Sequence, residues 1–159
     1  MATTYEPIAT NTLGSAAATV TFSSIAGTYT DLVVVTNGSA SANSDFFIAF
    51  NGDTGFNYSS TQLYGTGTVA GSQRDTTYPR ILIGANYANQ VNILQVMNYS
   101  NSTTYKTVLS RANGPSNVVQ AGVGLWRSTS AITSLVLSLN STNTFSTGST
   151  FTLYGIKAA

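Results

Sequence analysis

Apolar residues in this chain fall in short clusters rich in Val, Ile, Phe and Tyr, each bounded by Gly, Asn, Ser or Asp. That punctuation predicts β-strands. In "ATVTFSSI" the alternation sets Val20 and Phe22 on one face and Thr19, Thr21 and Ser23 on the other. "TDLVVVTNG" holds a continuous run from Leu32 to Val35, the pattern of a strand buried on both faces, and stops at the turn dipeptide Asn37-Gly38. "SDFFIAFNGDTG" groups Phe46, Ile48 and Phe50, and Asn51-Gly52 turns the chain. Residues 52–79 are the least regular stretch, with Gly52, Gly55, Gly65, Gly67 and Gly71 scattered among Ser and Thr. They predict a loop carrying one short strand near Tyr58 to Tyr64. Alternation resumes in "YPRILIG", "QVNILQVMNY", "TTYKTVLSRA", "NVVQAGVGLW" and "AITSLVLSLN", where Leu135, Leu137 and Leu139 share a face.

The last cluster, "STFTLYGIK", lies at the very end of the chain. A strand so close to a terminus predicts that the C-terminus is built into a sheet and pairs with strands distant in sequence, with Phe151 and Leu153 facing the core. Lys157 then places a charge at the strand's exit, where it discourages further edge pairing. The N-terminal "MATTYEPIATNTLGS" is extended and weakly apolar, so residues 1–14 read as an edge strand or an arm that reaches a neighbour, ahead of a sandwich domain over 15–159. No window has a period of 3.6 residues. The reading is all-β: one jelly-roll-like β-sandwich of about nine to ten strands.

Composition narrows the chemistry. Only 7% of residues are charged and the net charge is +1. Ser, Thr and Asn make up roughly 37%, so the surface is amide- and hydroxyl-covered rather than ionic. No basic stripe exists to neutralise phosphates; Lys106 and Arg111 are too few and too far apart, and no nucleic-acid partner is expected. No apolar run approaches the ~18–20 residues that span a bilayer, so no membrane partner is expected either. "MATTYEPIAT" has neither a basic start nor an apolar middle and predicts a non-secreted beginning. With no Cys and no His, disulfides, thiolate nucleophiles, imidazole-ligated metals and a Ser-His-Asp triad are excluded. The five acidic residues sit mostly at turns or termini, and none is placed beside another as glycoside hydrolysis requires. Neither an enzyme nor a cofactor is expected.

The segment "GLWRSTSAITSLVLSLNSTNTFSTGSTFTLYGIK" resembles the C-terminal region of small virion structural proteins of tailed bacteriophages. Trp126, Ala131, Ile132, Leu135, Gly148, Ser149, Phe151, Leu153, Tyr154, Gly155 and Ile156 carry the likeness, which ends in Phe-x-Leu-Tyr-Gly-Ile. "YEPIATNTLGSAAATVTFSSI", "YTDLVVV" and "FNGDTGFNYS" are similar to the front half of the same group. The resemblance implies a jelly-roll-like fold located in the virion and assembled in many copies, most simply a capsid decoration (cement) protein. Its partners would be the major capsid protein or other virion proteins and itself, as a homotrimer. The alternative is a receptor- or carbohydrate-binding module associated with the tail. The matched residues imply structure rather than catalysis.

Candidate site residues follow from these two readings. For contacts between subunits they are Tyr5, Pro7 and Ile8 in the N-terminal segment, and Arg74, Asp75 and Arg80 flanking the irregular loop. For stacking on a sugar ring they are Trp126, Tyr58 and Tyr64, with Tyr87 and Tyr99 as further tyrosines. Trp126 has a competing place as a plug at the end of the core, where its large apolar area is worth most. "FNGDTGFNYSS" offers oxygens from Asn51, Asp53 and Asn57, with Asp45 nearby, to a hard cation. It lacks the acidic density of a calcium loop, and the favoured reading is a hairpin turn in which Asn51 and Asp53 bond local backbone.

Overall fold

The computed structural model describes residues 4–84, 88–114, 118–140 and 142–157. The described residues form twelve strands. In chain order these are β1 (Tyr5–Thr12), β2 (Thr19–Phe22), β3 (Asp31–Gly38), β4 (Phe46–Phe50), β5 (Tyr58–Gly65) and β6 (Ala70–Asp75). The second half supplies β7 (Ile81–Gly84), β8 (Gln90–Met97), β9 (Lys106–Gly114), β10 (Val118–Trp126), β11 (Leu135–Leu139) and β12 (Thr150–Ile156). All pairings are antiparallel and build two sheets, one of eight strands ordered β1-β12-β3-β8-β9-β10-β5-β6 and one of four ordered β2-β11-β4-β7. The sheets stack face to face as a jelly-roll-like β-sandwich.

Alternation places the core. Val20 and Phe22 of β2, Phe46, Ile48 and Phe50 of β4, and Leu135, Leu137 and Leu139 of β11 bury one face of the smaller sheet. Leu32, Val34, Leu94, Val96, Val108, Phe151 and Leu153 meet it from the larger one. The close approach of the sheets is set by Gly124 on β10, where a Cβ would stand 2.2 Å from Ile81 Cγ2 of β7.

Two expectations are corrected. The strand count is twelve because the stretch 52–79 holds a hairpin of two strands, β5 and β6, rather than a loop with one, and because residues 5–12 form a strand. Its Gly residues mark turns and close contacts, such as Tyr64 lying over Gly71, and not irregular backbone. Lys157 does not guard an open edge: β12 lies between β1 and β3, and the Lys157 ammonium meets Glu6 of β1 at 2.8 Å. The C-terminal strand is thus held on both sides, by residues 5–12 and by residues 31–37. Of the two forms foreseen for the N-terminal segment, the edge strand is the one observed.

Candidate binding face on the larger sheet

The smaller sheet covers only one face of the larger one, and the other face is unusually apolar. In β8 the buried positions are Gln90, Asn92, Leu94 and Val96, while Val91, Ile93, Gln95 and Met97 point outward. In β9 the outward set includes Leu109 and Arg111, in β10 Val119, Ala121 and Val123, and in β5 Thr61 and Leu63. Strand register aligns these side chains in rows. One row runs Val35, Ile93, Arg111, Ala121, Leu63 across β3, β8, β9, β10 and β5. The next runs Val33, Gln95, Leu109, Val123, Thr61 and ends at Arg74 of β6.

Ala121 is the smallest side chain in its row, flanked by Arg111 and Leu63, and the step in height opens a trough of about 640 Å³. Its lining combines aliphatic Ile93, Leu109, Ala121, Val123 and Leu63 with the polar Thr61, Gln95 and Ser110, and Arg111 is its one charge. The aliphatic side chains of the face are far from covered, with Leu63 and Val123 of the trough at 63% and 52% exposure and Val119 beside it at 62%. Among the described residues the Arg111 side chain has neither an ion pair nor a hydrogen bond. The carboxylate on the same face, Asp31, is already engaged. It accepts bonds from the Gln95 side-chain amide at 2.9 Å and from the Asn98 backbone N–H at 2.7 Å.

The residues singled out from the sequence do not converge here. Tyr5 and Pro7 lie on the β1 edge, where Tyr5 packs edge-on against Tyr154 with ring centroids 6.4 Å apart, and Ile8 packs partly against the core. Arg74 is exposed on β6, the opposite edge of the sheet. Asp75 accepts bonds from the backbone N–H and hydroxyl of Thr77. Arg80 is committed within the chain: its guanidinium lies 4.0 Å over the Phe47 ring and donates to the Ser138 hydroxyl at 3.0 Å. Burial raises the Asp45 carboxyl above its usual range, the nearby Asp75 adds to this, and Arg80 opposes it, so these charges interact within one chain.

Of the aromatic residues offered for sugar stacking, Trp126, Tyr58 and Tyr99 are corrected. Trp126 and Tyr58 are buried and stack on each other, 6.3 Å between centroids, so neither presents a face to a ligand. Tyr99 is buried with its hydroxyl donating to the Ala26 carbonyl, and Tyr64 is half-buried over Gly71. Tyr87 lies outside the described residues.

The "FNGDTGFNYSS" segment turns as expected, but it is not a hairpin: it carries the chain from β4 in the smaller sheet to β5 in the larger one, and Asn51 bonds distant rather than local backbone. Asn51 and Gly52 both have positive φ, 51° and 67°, and the Asn51 side chain pins the chain ahead of β11 by bonding Ala131, Thr133 and Ser134 backbone. Asp53 accepts from the Trp126 indole N–H at 2.7 Å, the Gly55 N–H at 2.8 Å and the Asn57 amide at 3.0 Å. The Trp126 bond above all holds its carboxyl below the usual range. These oxygens are committed to protein donors, and among the described residues no group of three or more acidic side chains forms a metal site.

No protein-family model and no curated protein sequence matches the chain. Among solved structures it is similar to the galectin LEC-6 of Caenorhabditis elegans, at 14% identity and a TM-score of 0.39, covering 87% of this chain and 90% of that one. It is also similar to the alginate lyase Aly36B, at 11% identity and a TM-score of 0.34, over 92% of this chain and 77% of the other. Likeness this distant carries no argument about a ligand.

Sequence reasoning missed the trough because apolar residues in a strand were assigned to the core. The signal was present in β10, where the outward Val119, Val123 and Leu125 are larger than the inward Gly122 and Gly124.

Proposed function

We propose that this chain is a virion structural protein of the tailed-bacteriophage type. It would decorate a capsid shell by docking the outer face of its larger sheet onto a protein surface. The observation that supports this is the exposed aliphatic face on β5, β8, β9 and β10. Contiguous apolar surface on a soluble domain marks an interaction site, and this one lies beside few charges that would resist a neighbour's approach. A rigid sandwich with little net charge suits packing among many copies. A sugar site would stack its ligand on aromatic rings, whereas the trough is lined by aliphatic and polar side chains and by no aromatic ring.

The test uses particles lacking the chain, to which purified protein is added back and co-sedimented. The double variant Leu63→Asp with Val123→Asp carries both changes on exposed side chains, so folding is retained while charge enters the face. Loss of co-sedimentation with an unchanged melting temperature is expected. Undiminished co-sedimentation, or binding to a glycan array by the wild type alone, refutes docking through this face.

A further inference from the structure

The trough is aliphatic on its walls and cationic at one point, and that combination specifies what it takes. We infer that it accepts an extended segment of the partner protein in which an acidic side chain is flanked by aliphatic ones. The carboxylate meets the Arg111 guanidinium and the aliphatic groups fill the space above Ala121. This inference deepens the docking reading and rests on it.

Arg111 stands in register between Ile93 and Ala121 on the outer face, and its side chain lines the trough. It lacks a partner among the described residues, and Asp31 is occupied by Gln95 and Asn98. A guanidinium beside a low-dielectric wall binds a carboxylate in two parallel bonds, and that pairing is stronger and more directional than in open water. The volume of about 640 Å³ falls in the range that holds a compact ligand or a few side chains.

The occupant is a chain segment rather than a small free acid because the apolar surface runs on past the trough. Val91, Val119 and Met97 remain 45%, 62% and 40% exposed outside its lining, and a small acid leaves them bare. A second copy of this chain fits less well. It would bring two Arg111-bearing faces together, while each copy's Asp31 is already accepting two bonds.

The probe is a random dodecapeptide library selected in parallel on the purified wild-type chain and on Arg111→Leu, whose exposed position makes the substitution tolerable to the fold. Wild type should enrich peptides with Asp or Glu between Leu, Ile or Val. Arg111→Leu should keep the aliphatic preference and lose the acidic one. The best wild-type peptide should bind Arg111→Leu about tenfold more weakly, and its affinity for wild type should fall as salt rises from about 50 to about 500 mM. Enriched peptides without acids, acids that persist on Arg111→Leu, or no enrichment on wild type each overturn the inference. Particle association separates the two levels. Association lost with Val123→Asp but indifferent to Arg111→Leu sinks the carboxylate and leaves docking standing, whereas indifference to both sinks docking itself.

Discussion

Asp53 closes the end of the core where Trp126, Phe50 and Tyr58 meet, and its replacement by Ala has a calculable consequence. The Trp126 ring is 2% exposed and packs against Phe50 at 5.5 Å between centroids. Without the carboxylate its indole N–H is buried with no acceptor, a loss of about 1–3 kcal/mol. The bonds from Gly55 and Asn57 are more solvated and contribute about 0.5–1 kcal/mol between them. Asp53→Ala should therefore lower stability by about 1.5–4 kcal/mol, a large part of the ~5–15 kcal/mol typical of a domain. Urea unfolding followed by far-UV circular dichroism reads this as a lower midpoint at constant slope. In a Trp126→Phe background the same substitution should cost under about 1 kcal/mol, because no indole donor remains to be orphaned. The pH dependence has a definite sign. The Asp53 pKa is lowered by folding, so its contribution is present above the unfolded value and is lost as pH falls through the folded one. Acid sensitivity should thus diminish in Asp53→Ala. A variant within about 0.5 kcal/mol of wild type, or an equal cost in both backgrounds, refutes this account of the core's end.

Other consequences are equally open to measurement. Burial pushes the Tyr58 phenol up to about 12, while its hydroxyl accepts from the Phe50 N–H and donates to the Asp53 carbonyl. One of the nine tyrosines should therefore ionise near pH 12 in a 295 nm titration. The unfolded chain releases that proton first, so stability is full below the ordinary phenol value of about 10 and declines as pH rises towards about 12. Gly124→Val should destabilise by about 1–3 kcal/mol through collision with Ile81, and in an Ile81→Ala background the added cost should shrink. Lys157→Ala removes a surface ion pair with Glu6 and should shift the urea midpoint by an amount near the limit of detection.

The fold was legible wherever alternation and burial coincide. Val20 and Phe22, Phe46, Ile48 and Phe50, Leu135, Leu137 and Leu139, and Phe151 and Leu153 of the closing strand all face the core as their spacing predicts. It was illegible where a strand carries little apolar content. In β6, Ala70–Asp75 is exposed on both sides at a sheet edge, so no core demands a hydrophobic period from it. The binding face was hidden by a related ambiguity. Alternation reveals that two faces differ but not which is inside, and in β8 the inward Gln90 and Asn92 are polar while the outward Val91 and Ile93 are apolar. Trp126 shows a third limit: its indole partner Asp53 lies 73 positions away, a distance that only the assembled sandwich closes.

Intact particles that carry the chain, labelled with antibody against it and viewed by electron microscopy, give the most direct test of the proposed role. Label distributed over the shell is the predicted result, and it should vanish when the Leu63→Asp and Val123→Asp double variant replaces the wild-type chain. Label confined to the tail, or particles without label, would contradict shell decoration.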